Sequence, residues 1–184
     1  MALWRGYKKY AVDLAAKVRC RLGVSLYESL DVRQLAALYE LPIVSFDQLP
    51  AAPEAVRYYT ETHWTQLSGL VVPVNGQQVI LINPAHCDDR IVSTIGHEVA
   101  HVILCHESRV RLTGEKDCRA GDEEQEDEAN WLGGELLLPR EAARRLVFRE
   151  VDEVSAAAAF GVSVAMARWR MNICGGRQML QRSR

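Results

Sequence analysis

Apolar residues recur three and four apart along several stretches of the chain, and each such stretch predicts a helix. Tyr10, Ala11, Leu14, Ala15, Val18 and Leu22 form the first, with Gly23 placed to stop it. Val32, Leu35, Ala36 and Tyr39 form the second, with Asp31 at its cap, Gln34 at the capping-box position and Pro42 ending it. Residues 43–46, Ile-Val-Ser-Phe, read as a short strand, and Pro50 and Pro53 predict irregular chain from Leu49 to Thr65. The segment LVVPVNGQQVILINP then joins two β-rich runs through Asn75-Gly76, the signature of a hairpin with a type I′ turn. Pro73 places the first of these strands at a sheet edge or a strand end.

Beyond Asp88 and Asp89, a stripe of Ile91, Ile95, Val99, Val102 and Ile103 predicts a helix reaching about His106. A charged loop follows, with eight acidic residues between Gly114 and Glu128 against Lys116 and Arg119, a run expected to be solvated. The next helix begins polar, turns apolar at Ala129, Trp131, Leu132, Leu136 and Leu137, and halts near Pro139. Helical segments at about 140–149, 151–160 and 163–174 finish the pattern, the last stopped by Gly175-Gly176. A hairpin among many helices predicts an α+β fold, helices on a small antiparallel sheet, as a single domain over 1–184 with a helical C-terminal subregion at about 140–176.

Composition narrows the function classes. Of 184 residues, 48% are hydrophobic and 25% charged, as in ordinary globular proteins. A net charge of -2 carries no global footprint for nucleic acid. Five cysteines, an odd number without a CxxC pair, indicate neither a disulfide framework nor a cysteine zinc site. With no signal peptide at the N-terminus and no run of membrane-span length, a cytoplasmic location is expected.

The chemistry concentrates in IGHEVAHVIL, residues 95–104. At about 100° per residue, His97 and His101 lie nearly opposite the apolar stripe, one turn apart, so both imidazoles can reach one metal ion with Glu98 beside them. Hydrolytic zinc takes three protein ligands and keeps a position for water, so a partner is needed. The acidic helix supplies carboxylates: Glu126 could ligate, with Asn130 one turn on supporting a ligand, while Asp122, Glu123, Glu124 and Glu128 compete. A third histidine at 107 is excluded, because Glu107 stands there. Zinc activates water and polarises a carbonyl, and a carboxylate such as Glu98 takes the proton and hands it to the leaving amine.

Two segments, INPAHCDDRIVSTIGHEVAHVILCH and EDEANWLGGELLLP, resemble the ImmA/IrrE metallopeptidases, whose second motif reads E-x-E-A-N-x-F-A-x-E-L-L-x-P. The helices in DVRQLAALYELPIV and FGVSVAMARWRM extend the likeness to most of the chain. The resemblance implies a zincin-like fold, one Zn2+, His97, His101 and Glu126 as ligands, Glu98 as the catalytic carboxylate and Asn130 beside the site. It also implies that the strand before the zinc helix, Val79, Ile80, Leu81, Ile82 and Asn83, binds extended substrate at its edge. The expected substrate is a helix-turn-helix repressor encoded nearby, with no direct contact to nucleic acid or membrane. Leu132-Gly133-Gly134 departs from the family's Phe-Ala-Ala, and glycines cost roughly 1 kcal/mol each in a helix relative to alanine.

An alternative reading rests on EVSAAAAFGVSVAMARWRM, which also resembles a DNA-binding helix-turn-helix. Its second helix would offer Val164, Ala165 and Met166 where base-reading side chains are wanted, leaving only Arg168 and Arg170 for phosphate. A non-proteolytic anti-repressor that captures its partner is the other alternative, although capture has no need of Glu98. The oxyanion donor stays open among Tyr58, Tyr59, His63, Arg90 and His106. Cys105, one turn beyond His101, is expected to be a small buried apolar residue.

Overall fold

The two residues of the hairpin turn carry the backbone that a type I′ turn demands: Asn75 has φ 50° and Gly76 φ 83°. They join β2, Gly69–Val74, to β3, Gln77–Ile82, in an antiparallel pair that registers Val71 with Ile80 and Pro73 with Gln78. The third strand changes the sheet. β1, Ile43–Ser45, pairs parallel to β3, with Ile43 beside Ile80, so the order is β1-β3-β2 and the sheet is mixed, not antiparallel. A parallel pair carries no turn between its strands to announce it, and local periodicity is blind to it.

The order has a direct functional consequence. β3 is the central strand, paired on both sides, so residues 79–83 are not an edge and cannot receive a substrate strand. Asn83 is fully buried and pins the preceding segment of chain instead. Its side-chain amide donates to the carbonyls of Tyr59, Trp64 and Leu67, while its Oδ1 accepts the N–H of Ala85. The open edge beside the helices is β2, in keeping with Pro73.

The structure, a computed structural model, describes residues 3–49, 53–106, 123–176 and 179. Eight α-helices lie among them: α1 Tyr7–Arg21, α2 Val32–Leu38, α3 Pro53–Arg57, α4 Asp88–Ile103, α5 Glu123–Leu137, α6 Arg140–Phe148, α7 Glu153–Phe160 and α8 Val164–Ile173. The expected irregular stretch is thus partly helical, since α3 is followed by a π-helical turn at Tyr58–Thr62. Pro53 signals a break by composition, yet the first position of a helix loses no hydrogen bond to proline. Residues 107–122, with Cys118 and the first three acids of the run (115, 117 and 122), lie outside the described residues.

α4 and α5 pack against each other more extensively than any other pair of helices, and α1 also packs on α5. Ile95 and Val99 on α4 join Leu132, Leu136 and Ala129 of α5 in the main core. The two glycines at 133 and 134 find their reason here. A Cβ on Gly133 would stand 3.1 Å from the carbonyl oxygen of Gly96 and 3.3 Å from Cα of His97, and one on Gly134 would meet the Trp169 ring at 2.5 Å. At Gly133 backbone runs against backbone and brings the two motif helices close enough to share a site, while Gly134 makes room for the Trp169 side chain.

Candidate metal centre

His97 and His101 sit on the side of α4 that turns towards the start of α5, because the aliphatic stripe takes the opposite side into the core. Their Nε2 atoms approach to 2.9 Å. Glu126, in the first turn of α5, brings Oε2 to 3.3 Å from His97 Nε2 and Oε1 to 3.5 Å from His101 Nε2. Donors about 2.0–2.1 Å from a tetrahedral ion stand roughly 3.3 Å apart, so the spacing of the three groups fits one small cation. Among the described residues these three form the cluster of ligand-type side chains able to hold a metal ion. Glu123 and Glu124 are not part of it, and Asp122 lies outside the described residues.

The surrounding contacts orient the ligands. Asn130, one turn beyond Glu126, lies beside His97 and helps hold its imidazole up. His101 Nδ1 lies 2.9 Å from His106 Nδ1, and His106 Nε2 lies 3.1 Å from Glu128 Oε2. Glu128 thus faces away from the triad, and both nitrogens of His106 are engaged, which removes it from the oxyanion candidates.

Electrostatics match a cation site. Burial draws the His97 imidazole down, but the hydrogen bond to Glu126, the charges of Glu98 and Glu126, and Asn130 together lift it above its ordinary value. The hydrogen bonds to His101 and His97 hold the Glu126 carboxyl far below the usual carboxylate range against the opposing effect of burial. A metal ion would replace the proton that this cluster attracts. Burial raises the Glu98 carboxyl above its ordinary value, against the pull of both histidines.

The backbone N–H of Val71 lies near enough to Glu98 to help hold its carboxyl down against burial. The Ser68 carbonyl accepts from Asn83 N–H, so alternation along β2 turns Gly69, Val71 and Pro73 outward. The open edge therefore runs past the acid-base candidate, and Pro73 removes one of its outward donors. Of the other oxyanion candidates, Tyr58 stacks on His63 with ring centroids 4.0 Å apart, Tyr59 packs on Tyr58, and Arg90 donates to Ser68 Oγ. Cys105 is exposed instead of buried, because α4 stops at Ile103 and Cys105 takes a left-handed turn with φ 55°.

The C-terminal pair has helix-turn-helix form: Gly161 is left-handed at φ 64° and the Ser163 side chain caps α8. Its two cations are committed elsewhere. Arg170 is buried in an ion pair with Glu135, 2.5 Å, and Arg168 is paired with Glu153 at 2.6 Å. The outward positions of α8 are then Ala165, Arg168 and Asn172, a poor match to phosphate or base edges.

An α+β zincin-like fold with two histidines on one helix and a glutamate on the next defines a metallopeptidase. Residues 34–172 match the family model of the IrrE N-terminal-like domain, peptidase M78, and the chain belongs to that family. No curated protein matches the chain.

Proposed function

We propose that the protein is a cytoplasmic zinc endopeptidase that cuts a helix-turn-helix regulator at one site. The convergence of His97, His101 and Glu126 around a space fitting one cation, with Glu98 against the open edge of β2, is the observation that carries this reading. Zinc, when bound, supplies an acidified water and an electrophile for the scissile carbonyl. His97, His101 and Glu126 would hold it. Glu98, its carboxyl raised, takes the proton of the attacking water and returns it to the leaving amine.

The edge of β2 positions an extended peptide through main-chain pairing at Gly69 and Val71. Without an N–H at Pro73, the ladder is short. Main-chain pairing of that length gives little discrimination, so selectivity depends on a folded partner docking outside the cleft. Family membership and the resemblance of both motifs support a repressor as that partner; no contact with nucleic acid or membrane is required. No helix of the described residues is long and apolar enough to cross a membrane.

The test incubates zinc-loaded protein with casein and, separately, with the helix-turn-helix regulator encoded beside it. One discrete cut in the regulator is expected, with casein intact. Glu98→Gln should keep stoichiometric zinc and lose about 10²–10⁴-fold in rate. Rapid casein degradation without preference for the regulator, or full activity of Glu98→Gln, would overturn the proposal.

A further inference from the structure

His106 and Glu128 have no part in the function proposed above, yet both are largely buried beside it, with side-chain exposures of 7% and 15%. Their placement is over-determined. α4 ends in a Schellman turn: Cys105 N–H bonds Val102 O at 3.0 Å, and His106 N–H reaches back to His101 O at 3.0 Å. In such a turn the residue after the left-handed position usually makes an apolar contact with the residue five before it. Here that pair is His106 and His101, so the two are joined by the backbone and again through their Nδ1 atoms. On the other side, Glu128 is anchored where the Tyr7 hydroxyl donates to its backbone carbonyl at 2.6 Å.

We propose that His106 and Glu128 form a positioning relay that fixes the tautomer and ring orientation of His101, an inference that rests on the reading of His97, His101 and Glu126 as the metal centre. The proton bookkeeping allows one arrangement. A metal ion on His101 Nε2 leaves the ring's proton on Nδ1, which donates to the Nδ1 lone pair of His106. The remaining proton of His106 is then on Nε2 and donates to the Glu128 carboxylate. Each hydrogen bond specifies the next, and the carboxylate at the end raises the basicity of His101 towards the metal. His106 touches neither substrate nor metal, so its role is exerted through His101.

Zinc affinity, measured by competition with a chromophoric chelator, tests the relay without reference to turnover. Loss of such outer partners costs about 10–100-fold in metal affinity. His106→Ala should show that loss and Glu128→Gln a smaller one. His106→Asn, whose amide oxygen can stand near the place of Nδ1, should recover part of what His106→Ala loses. The double variant His106→Ala with Glu128→Gln should bind no more weakly than His106→Ala alone, because the carboxylate acts only through the imidazole. Cobalt-substituted His106→Ala should have an altered absorption spectrum, and thermal unfolding of metal-free Glu128→Gln should match the parent. Parent-like zinc affinity in both His106→Ala and Glu128→Gln, or additive losses in the double variant, would overturn the relay while leaving the metal centre in place. A parent protein that binds no zinc would overturn the metal centre itself, and the relay with it.

Discussion

The two ends of α5 carry glutamates into partly or wholly buried surroundings and put them to opposite uses. Near its C-terminal end, Glu135 is 1% exposed and ion-paired: Arg170 at 2.5 Å, with the backbone N–H of Arg140 at 2.9 Å. Positive meets negative there, and the charges cancel, although Arg170 Nη1 keeps no hydrogen-bond partner among the described residues. At its start, Glu126 meets two imidazole nitrogens that face each other as well as the carboxylate. Three groups of acceptor chemistry converge, and the charges that shift His97 and Glu126 come from one another and from Glu98 and His101, not from arginine or lysine. A closed ion pair serves the fold, whereas a convergence of acceptors serves a ligand, and the sign of the charge it calls for says which ligand.

The sharpest way to break this comparison is to remove each glutamate. Glu135→Ala leaves Arg170 buried without its partner and should cost about 3–5 kcal/mol of stability in urea unfolding. Glu126→Gln, at a half-exposed position, should change metal-free stability by less than about 0.5 kcal/mol while abolishing stoichiometric zinc in elemental analysis. If both variants unfold alike, the distinction between the two ends fails.

Gly133→Ala probes the crossing that joins them. The added methyl stands 3.1 Å from Gly96 O and 3.3 Å from His97 Cα, so the backbone carrying a ligand must shift. About 1–3 kcal/mol of destabilisation is expected from such overpacking, and zinc affinity should fall with it. Loss of stability with unchanged affinity would separate the crossing from the centre.

The smallest effect lies away from α5. His86 is buried against Trp64, and burial, with Arg90 beside it, holds its imidazole below the ordinary value. The unfolded chain then binds the proton more readily, so stability is intact above about pH 6.5 and declines as pH falls from there towards the folded-state value. His86→Phe should flatten this acid slope in thermal unfolding, while Glu135→Ala should leave it alone. An unchanged slope in His86→Phe would assign the acid response elsewhere.

What could be read from residues alone follows the range of the interactions. The stripe of α4, the Asn75-Gly76 hairpin and the ligand spacing on one helix face are local patterns, and all three stand in the structure. The parallel seat of β1 is not local: Ile43 finds Ile80 across more than thirty intervening residues, and with it went the expectation that 79–83 is an edge. Nor does spacing distinguish a solvated arginine from one turned inward. Arg19, fully buried with its guanidinium on the carbonyls of Ser25, Glu28 and Leu136, occupies what reads as a polar helical position. The Gly133-Gly134 pair, a weakness by helix propensity, is explained only by neighbours distant in sequence, the α4 backbone at Gly133 and the Trp169 side chain at Gly134. His106 was visible as a histidine near the site, but its partner Glu128 lies 22 residues away and reads as one of many acids.

Pro73 has one more consequence, for the behaviour of the protein in a crowded solution. An open strand edge is a template on which another chain can add, and identical copies are always at hand. A continuous row of donors on β2 would favour strand-by-strand association between copies. Interrupting that row at Pro73 leaves an edge with fewer outward donors, a poorer template for a second copy to add to or for a fibril to grow from.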